Sequence, residues 1–248
     1  MAHYFVSDVH AGLELDGVPV RSGERLVGWL DAVAPDADAI YLLGDIFDFW
    51  FEYKRIAPAG HESVLHKFRE LSERGIGLHF FPGNHDMWTL GYLSRECGVT
   101  VHDRGLYTTI CGRKVYMEHG DIQSVGSFGE RLMQGIFRSR TAQGIARTFV
   151  PYRRMMAFGN RWSRSNRAKH SCAHVFREEQ EGVVRFAREY LREREVDVFV
   201  FGHLHAPASY PLNDTAMLYV LGDWILEERL PVYGRLDDAG FFLEQIRG

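Results

Sequence analysis

The sequence predicts an α/β fold built largely on parallel strands, and three observations predict it. Short apolar runs of four to six residues, rich in β-branched and aromatic side chains, each stop at a polar cluster: "YFVSDVH", "IYLLGDIFD", "LHFFPGNHD", "KVYMEHGD" and "VDVFVFGHLH". Between the first three lie stretches with helical periodicity, and strand, helix, strand in succession implies parallel pairing. A hydrophobic content of 46% in 248 residues, with a net charge of −4, describes a well-cored globule and carries no global nucleic-acid or membrane signature.

The apolar runs are too short for helices and are bounded by turn formers, so they read as buried strands. Gly23 to Ala34 and Glu62 to Gly75 carry the helical pattern, the second closing on a glycine suited to a C-cap. A helical insert occupies about residues 124–180, within a single domain spanning 1–248. The tail from Thr215, including "MLYVLGDWI", reads as antiparallel strands that complete a second sheet. Cys97, Cys111 and Cys172 form no CxxC pair and are odd in number, which predicts free thiols in a reducing compartment. "MAHYFVSDVH" enters a strand at once, with no basic segment or long apolar stretch before it, so a cytoplasmic location is the expectation. No uncharged apolar run approaches the roughly 18 residues of a membrane span, so membrane contact would be peripheral.

In open α/β sheets ligands sit beyond the carboxyl ends of the strands, so the polar clusters can converge. They supply Asp8, His10, Asp45, Asn84, His119, His203 and His205, all oxygen or imidazole donors. In an extended segment, residues two apart point the same way, which would let Asp8 with His10, and His203 with His205, each face one cavity. One divalent ion needs about four protein groups, so this set suits two ions sharing a carboxylate, with Asp45 as the bridge. Carboxylate, amide and imidazole without thiol favour manganese, iron or zinc over calcium and argue against a thiolate-zinc or copper site, a set among which manganese is the ion expected. Asp121 and Asp223 read as supporting or turn residues. His3, His61, His66, His79, His102, His170 and His174 have no comparable context, and surface or core packing is their default.

The series "SDVH", "GDIFD", "GNHD", "HGD", "GHLH" resembles the calcineurin-like metallophosphoesterase superfamily, motif by motif across residues 8 to 205. The resemblance implies a four-layer α/β/β/α sandwich with a dimetal site. Asp8, His10, Asp45 and His205 would hold one ion, and Asp45, Asn84, His119 and His203 the other. His85, next to ligand Asn84, would assist the leaving oxygen as general acid, with Asp48 as its carboxylate partner. Phe49 stands where serine/threonine protein phosphatases keep a phosphate-binding arginine, which argues against that subgroup.

The longer stretch "GDIFDFWFEYK", with "LGDWI" near the end and the insert after "HGD", is similar to the UDP-2,3-diacylglucosamine hydrolase family of lipid A biosynthesis. That family cleaves the pyrophosphate of a lipid-bearing UDP-sugar to UMP and a lipid monosaccharide 1-phosphate. The resemblance implies substrate contacts from Asn84, His85, His203, Arg161, Arg164, Asn166 and Lys169. Well-known members carry Arg in place of His85 and Glu in place of Asp48. Asn166 and Lys169 fit the second half of their Ser-x3-Asn-x2-Lys pattern, while the serine position falls on Trp162, and an acidic residue expected soon after "HGD" is missing from "IQSVGSFGE".

The insert adds a signal of its own. From Arg131 to His170 there are ten basic side chains and no Asp or Glu, so the other 208 residues carry a net −14. Basic residues alternating with Leu132, Met133, Ile136, Phe137, Ile145, Phe149 and others suit a surface that meets anionic head groups and acyl chains. The partners expected are therefore a lipid-bearing UDP-sugar and the anionic inner face of the cytoplasmic membrane, touched peripherally, with no nucleic acid. Two further readings stay open: a phosphatase or phosphodiesterase acting on a soluble nucleotide or other phosphoester, and a non-catalytic module, the latter disfavoured by the complete donor set.

Overall fold

The structure, a computed structural model, describes every residue except 16, 54–55, 125–127, 160, 162–174, 226–229 and 247–248. Eight strands among the described residues come before the insert, the first five being β1 Ala2–Val6, the short β2 Glu14–Leu15 and β3 Val18–Pro19, β4 Ala37–Leu42 and β5 Gly77–Phe80. Helices α1 Ser22–Val33 and α2 Glu62–Glu73 connect them, followed by α3 Tyr92–Cys97, β6 Thr100–Val101, β7 Leu106–Ile110 and β8 Arg113–Glu118. The predicted helices are thus present to within a few residues, and Gly75 takes the left-handed conformation (φ 87°) just past α2. α4 Asp121–Ser124 follows β8, and the described residues of the insert include α5 Phe128–Arg138, α6 Arg140–Phe149 and α7 over 152–159. Then come α8 Gly182–Tyr190, β9 Val198–Phe201, β10 Ala208–Pro211, β11 Met217–Val220, β12 Val232–Asp237 and β13 Gly240–Gln245.

Two sheets form, in the orders β13-β12-β1-β4-β5-β6 and β10-β11-β9-β8-β7. Strands β1, β4, β5 and β6 run parallel, as do β8, β9 and β11. Alternation along each strand sorts side chains between layers. In β1, Tyr4 and Val6 pack outward against Leu26, Trp29 and Leu30 of α1, while Phe5 packs inward with Val115, Met117 and Val200 of the other sheet. In β9, Val198 and Val200 join that inner layer, and Phe199 and Phe201 meet Val183, Val184 and Ala187 of α8. Helix, sheet, sheet and helix therefore stack as four layers. Strands buried on both faces explain why the sequence shows continuous apolar runs instead of alternation.

The tail corrects the sequence expectation. β11 lies parallel to β9, with antiparallel β10 on its other side, whereas the β12–β13 hairpin leaves for the first sheet and pairs antiparallel with β1. The hairpin covers an edge of β1 that would otherwise expose unpaired backbone groups. The direction of β11 matters for function, because a parallel strand brings its carboxyl end, and hence Asp223, to the same pole as the ends of β8 and β9.

The insert rests on the body through a fourth apolar cluster, in which Phe49, Phe51, Met87 and Trp88 meet Met155, flanked by Phe137, Val150, Tyr152 and Met156. Cys97 and Cys111 are free thiols; Cys172 lies outside the described residues.

Candidate metal centre

The predicted donors gather just beyond the strand ends, but through a backbone geometry that the sequence reading did not anticipate. Asp8, His10, Asp45, His203 and His205 are not extended; their φ values are 54°, 51°, 53°, 68° and 53°. Pairwise alternation in a strand is therefore not what aims them. Each sits in the left-handed region, costing roughly 1 kcal/mol or more for a residue with a Cβ. Only seven non-glycine residues among those described have positive φ, and five are these donors, so the strain is concentrated where the side chains must converge.

Main-chain hydrogen bonds hold the loops in that shape. Asp8 N–H donates to Gly44 O at 3.0 Å and His10 N–H to Asp45 O at 2.9 Å, locking the first loop onto the second. His203 N–H donates to Asp8 Oδ2 at 2.9 Å, and His85 N–H to Asp45 Oδ1 at 2.8 Å. Two motif glycines admit these contacts. A Cβ on Gly83 would stand 2.2 Å from Asp45 Oδ1, and one on Gly202 would stand 2.7 Å from Asp8 Oδ2.

Asp45 occupies the middle. Its Oδ2 is 3.4 Å from His119 Nε2 and 4.0 Å from His10 Nε2. Asp8 Oδ1 is 3.3 Å from His205 Nε2, and Asp8, His10 and His205 bring donor atoms within 4.8 Å of one another, as do Asp8, Asp45 and His119. The His203 ring stands 5.2 Å from that of His119. The outer ring nitrogens face other groups: His119 Nδ1 pairs with Leu43 O at 2.8 Å, His205 Nδ1 lies 3.5 Å from Asp223 Oδ2, and His10 Nδ1 lies 3.6 Å from Asp48 Oδ1, an ion-pair distance and not a hydrogen bond. Such outer contacts fix tautomer and orientation, leaving Nε2 to face the centre.

The residues fit a cation pair. Asp8 Oδ1, His10 Nε2, Asn84 Oδ1 and His119 Nε2 are all buried without a hydrogen-bond partner, a cost that proteins seldom accept without a ligand to meet it. The side chains by themselves also recruit positive charge. Burial opposes the charge on His119 and His205, yet the carboxylates of Asp45 and Asp8, respectively, outweigh it and lift both imidazoles to about 10. Burial would raise Asp8, but the His205 charge pulls it down to about 2. His203, by contrast, is pushed down to about 4 by burial and by the charge of His119.

His85 and Asp48 are placed differently from the expectation. His85 Nδ1 meets the main-chain oxygen of Asp48 at 2.8 Å, while the Asp48 carboxylate points to His10. A carbonyl can only accept, so Nδ1 carries a proton and Nε2 is the nitrogen free to exchange one. The reason for the switch is local: Asp48 N–H donates to Ala11 O at 3.0 Å, which turns its side chain toward the first loop.

Sequence reasoning passed over Asp86, which is fully buried. Its Oδ1 accepts from Gly83 N–H at 2.8 Å and its Oδ2 from Ile46 N–H at 2.7 Å, tying the loop of Asn84 to that of Asp45. Burial and the nearby Asp45 charge raise its carboxyl to about 7. The signal was available as the last letter of "GNHD". Asp121 joins Arg138 of α5 in an ion pair of 2.8 Å, and Arg138 also donates to Pro82 O at 3.3 Å, so the insert is latched to two loops of the centre. Arg138→Gln strands the buried Asp121 carboxylate. We expect a stability loss of about 3 kcal/mol, largely recovered in the Arg138→Gln/Asp121→Asn double variant, with metal content unchanged in both; denaturant melts and metal analysis check this.

Of the predicted substrate contacts on the insert, Arg161 is exposed, and Arg164, Asn166 and Lys169 lie outside the described residues.

Residues 1–207 match the family described as calcineurin-like phosphoesterase. The chain is 35% identical over 98% of its length to the UDP-2,3-diacylglucosamine hydrolase of Porphyromonas gingivalis, 97% of which is covered. It is 30% identical to the enzyme of that name from Edwardsiella ictaluri, over 90% of this chain and 85% of that one. With the Stenotrophomonas maltophilia enzyme of the same name it shares 26%, over 99% of both chains. A solved archaeal phosphodiesterase superposes with a TM-score of 0.52 at 13% identity, covering 99% of this chain and 100% of that one, which supports the fold alone.

Proposed function

The chain belongs to the UDP-2,3-diacylglucosamine hydrolase family of calcineurin-like phosphoesterases, and from that membership we propose that it cleaves the pyrophosphate of UDP-2,3-diacylglucosamine to UMP and a lipid monosaccharide 1-phosphate. The observation that carries the reading is 35% identity sustained over 98% of the chain, insert included. Release of UMP from the lipid substrate tests it, with UDP-N-acetylglucosamine and generic phosphodiesters as comparisons. Turnover of the soluble esters with none of the lipid substrate would replace this reading by the soluble-phosphoester alternative.

Asp8, His10, Asp45 and His205 would hold one divalent ion, and Asp45, Asn84, His119 and His203 the other. When bound, the two ions supply Lewis-acid charge and water activation for attack on phosphorus. The oxygen and imidazole donors suit manganese, iron or zinc, and manganese is our choice among them. His85 keeps Nδ1–H on the Asp48 carbonyl and presents Nε2 as the proton donor to the leaving oxygen. Asp48 and Asp223 orient His10 and His205 from outside. Substrate contacts from Asn84, His85, His203, Arg161, Arg164, Asn166 and Lys169 belong to the same proposal.

No helix among the described residues is long and apolar enough to cross a membrane. We propose peripheral attachment at the inner face of the cytoplasmic membrane through the insert. Ile145 and Phe149 are 57% and 78% exposed, and Arg153, Arg154 and Arg161 are exposed on the same segment. Apolar side chains flanked by cations are the chemistry of an anionic lipid surface. Replacing Ile145 and Phe149 together by serine removes burial worth about 1.5–3 kcal/mol each. Flotation with anionic vesicles should fall at least about tenfold, while hydrolysis of a soluble ester stays unchanged; undiminished flotation would refute the attachment.

A further inference from the structure

Strands β8, β9 and β11 end at the metal centre, and at their other ends lies a second concave site. A cavity of about 300 Å³ opens there between the sheets, lined by Arg113 at the start of β8, Asp197 beside β9, Thr215 and Tyr219 around β11, and Phe241 and Phe242 of β13. A strand of six residues separates the two poles by about 20 Å.

Arg113 is half-buried on the wall of this cavity. Its Nε is buried without a hydrogen-bond partner, and among the described residues its guanidinium makes neither a hydrogen bond nor an ion pair. Asp197 does not satisfy it: that carboxylate accepts from Lys114 N–H at 2.7 Å, and Asp197 N–H donates back to Lys114 O, so the residue is occupied in joining β8 to β9. Thr215 is likewise engaged with Asn213. Burial raises the Tyr219 hydroxyl above its usual range and the Arg113 charge draws it back, so the two groups share one local field. The Tyr219 ring packs 4.3 Å from that of Phe241, which gives the cavity an aromatic wall beside its cation.

We propose that this cavity binds a small organic oxyanion, a carboxylate or phosphate on an aromatic or apolar body, with Arg113 as its counter-ion. The buried Nε of Arg113 has no acceptor, its half-buried guanidinium faces the cavity, and an oxyanion is the acceptor that a guanidinium fork matches best. The volume is that of about ten waters, which accommodates a ligand the size of benzoate. The site uses no residue of the metal centre.

The test is calorimetric titration of the metal-loaded full chain with benzoate, phenylphosphonate and, as the uncharged control, benzyl alcohol. Saturable binding of at least one anion at a single site is expected, with benzyl alcohol at least about tenfold weaker, because a hydrogen bond between charged groups is lost. Preference between the two anions identifies the oxyanion favoured. Arg113→Gln should weaken anion binding at least about tenfold while leaving benzyl alcohol and hydrolase turnover unchanged. Arg113→Lys, which keeps the charge but loses the fork, should fall between. Absence of saturable binding by both anions would overturn the proposal, as would equal affinity in wild type and Arg113→Gln or equal affinity for benzyl alcohol. Phenylphosphonate that binds both wild type and Arg113→Gln and inhibits turnover competitively would place that anion at the metal centre, and the benzoate arm then decides.

Discussion

Asp45→Ala should lose both turnover and the metal pair. Asp45 Oδ2 stands between His119 and His10, and Oδ1 accepts the His85 main-chain N–H, so one side chain organises both halves of the centre. Removing it takes the shared carboxylate from each half at once and leaves His10 and His119 with no charge between them. We expect turnover to fall to background and bound metal to fall from two ions to one or fewer. Asp45→Asn preserves volume and the contact to His85 N–H but not the negative charge, and it should be nearly as damaging. Metal analysis and turnover measured on the same samples, with circular dichroism as the check on folding, decide the matter. An Asp45→Ala protein that holds two ions and turns over normally would end the assignment of Asp45 as the bridge.

His85→Ala should cut turnover by roughly 10²–10⁴-fold while leaving metal content near that of the wild type. Its Nδ1 is anchored to the Asp48 carbonyl at 2.8 Å, its ring lies 4.9 Å from that of His10, edge to face, and a donor atom of His85 lies within 4.8 Å of donor atoms of His10 and Asp45. If Nε2 donates to the leaving oxygen, the loss should shrink as the leaving group becomes less basic. A loss that is constant across a leaving-group series would exclude the proton-donor role. The geometry separates this residue from Asp48. Asp48→Asn leaves the main-chain carbonyl in place, so the leaving-group dependence should survive, and the effect should appear through His10 as metal affinity weakened about 10–100-fold. A carboxylate acting directly on His85 would give the opposite pattern.

Much of this molecule was legible before any coordinate. The apolar runs that end in "SDVH", "GDIFD", "GNHD", "HGD" and "GHLH" specify which strands exist and which donors stand at their ends. Strand identity depends on local composition, and parallel pairing puts all carboxyl ends at one pole, so the list Asp8, His10, Asp45, Asn84, His119, His203 and His205 needed only pattern and order. The absence of acids between Arg131 and His170 was likewise plain in the sequence.

What only the tertiary structure decided are the features that depend on residues remote in sequence. The left-handed backbone at five of the donors is imposed by hydrogen bonds between loops, such as Asp8 to Gly44 and His203 to Asp8, and no local pattern announces it in residues other than glycine. The Asp48 carboxylate turned to His10, and not to His85, because its own N–H is held by Ala11. Asp223 reached His205 because β11 pairs parallel to β9, which brings the carboxyl ends of both strands to one pole. Local sequence fixes what each segment can be, since propensity and periodicity act within a few residues. Direction, partner and ring orientation are settled by contacts that exist only once the chain has closed.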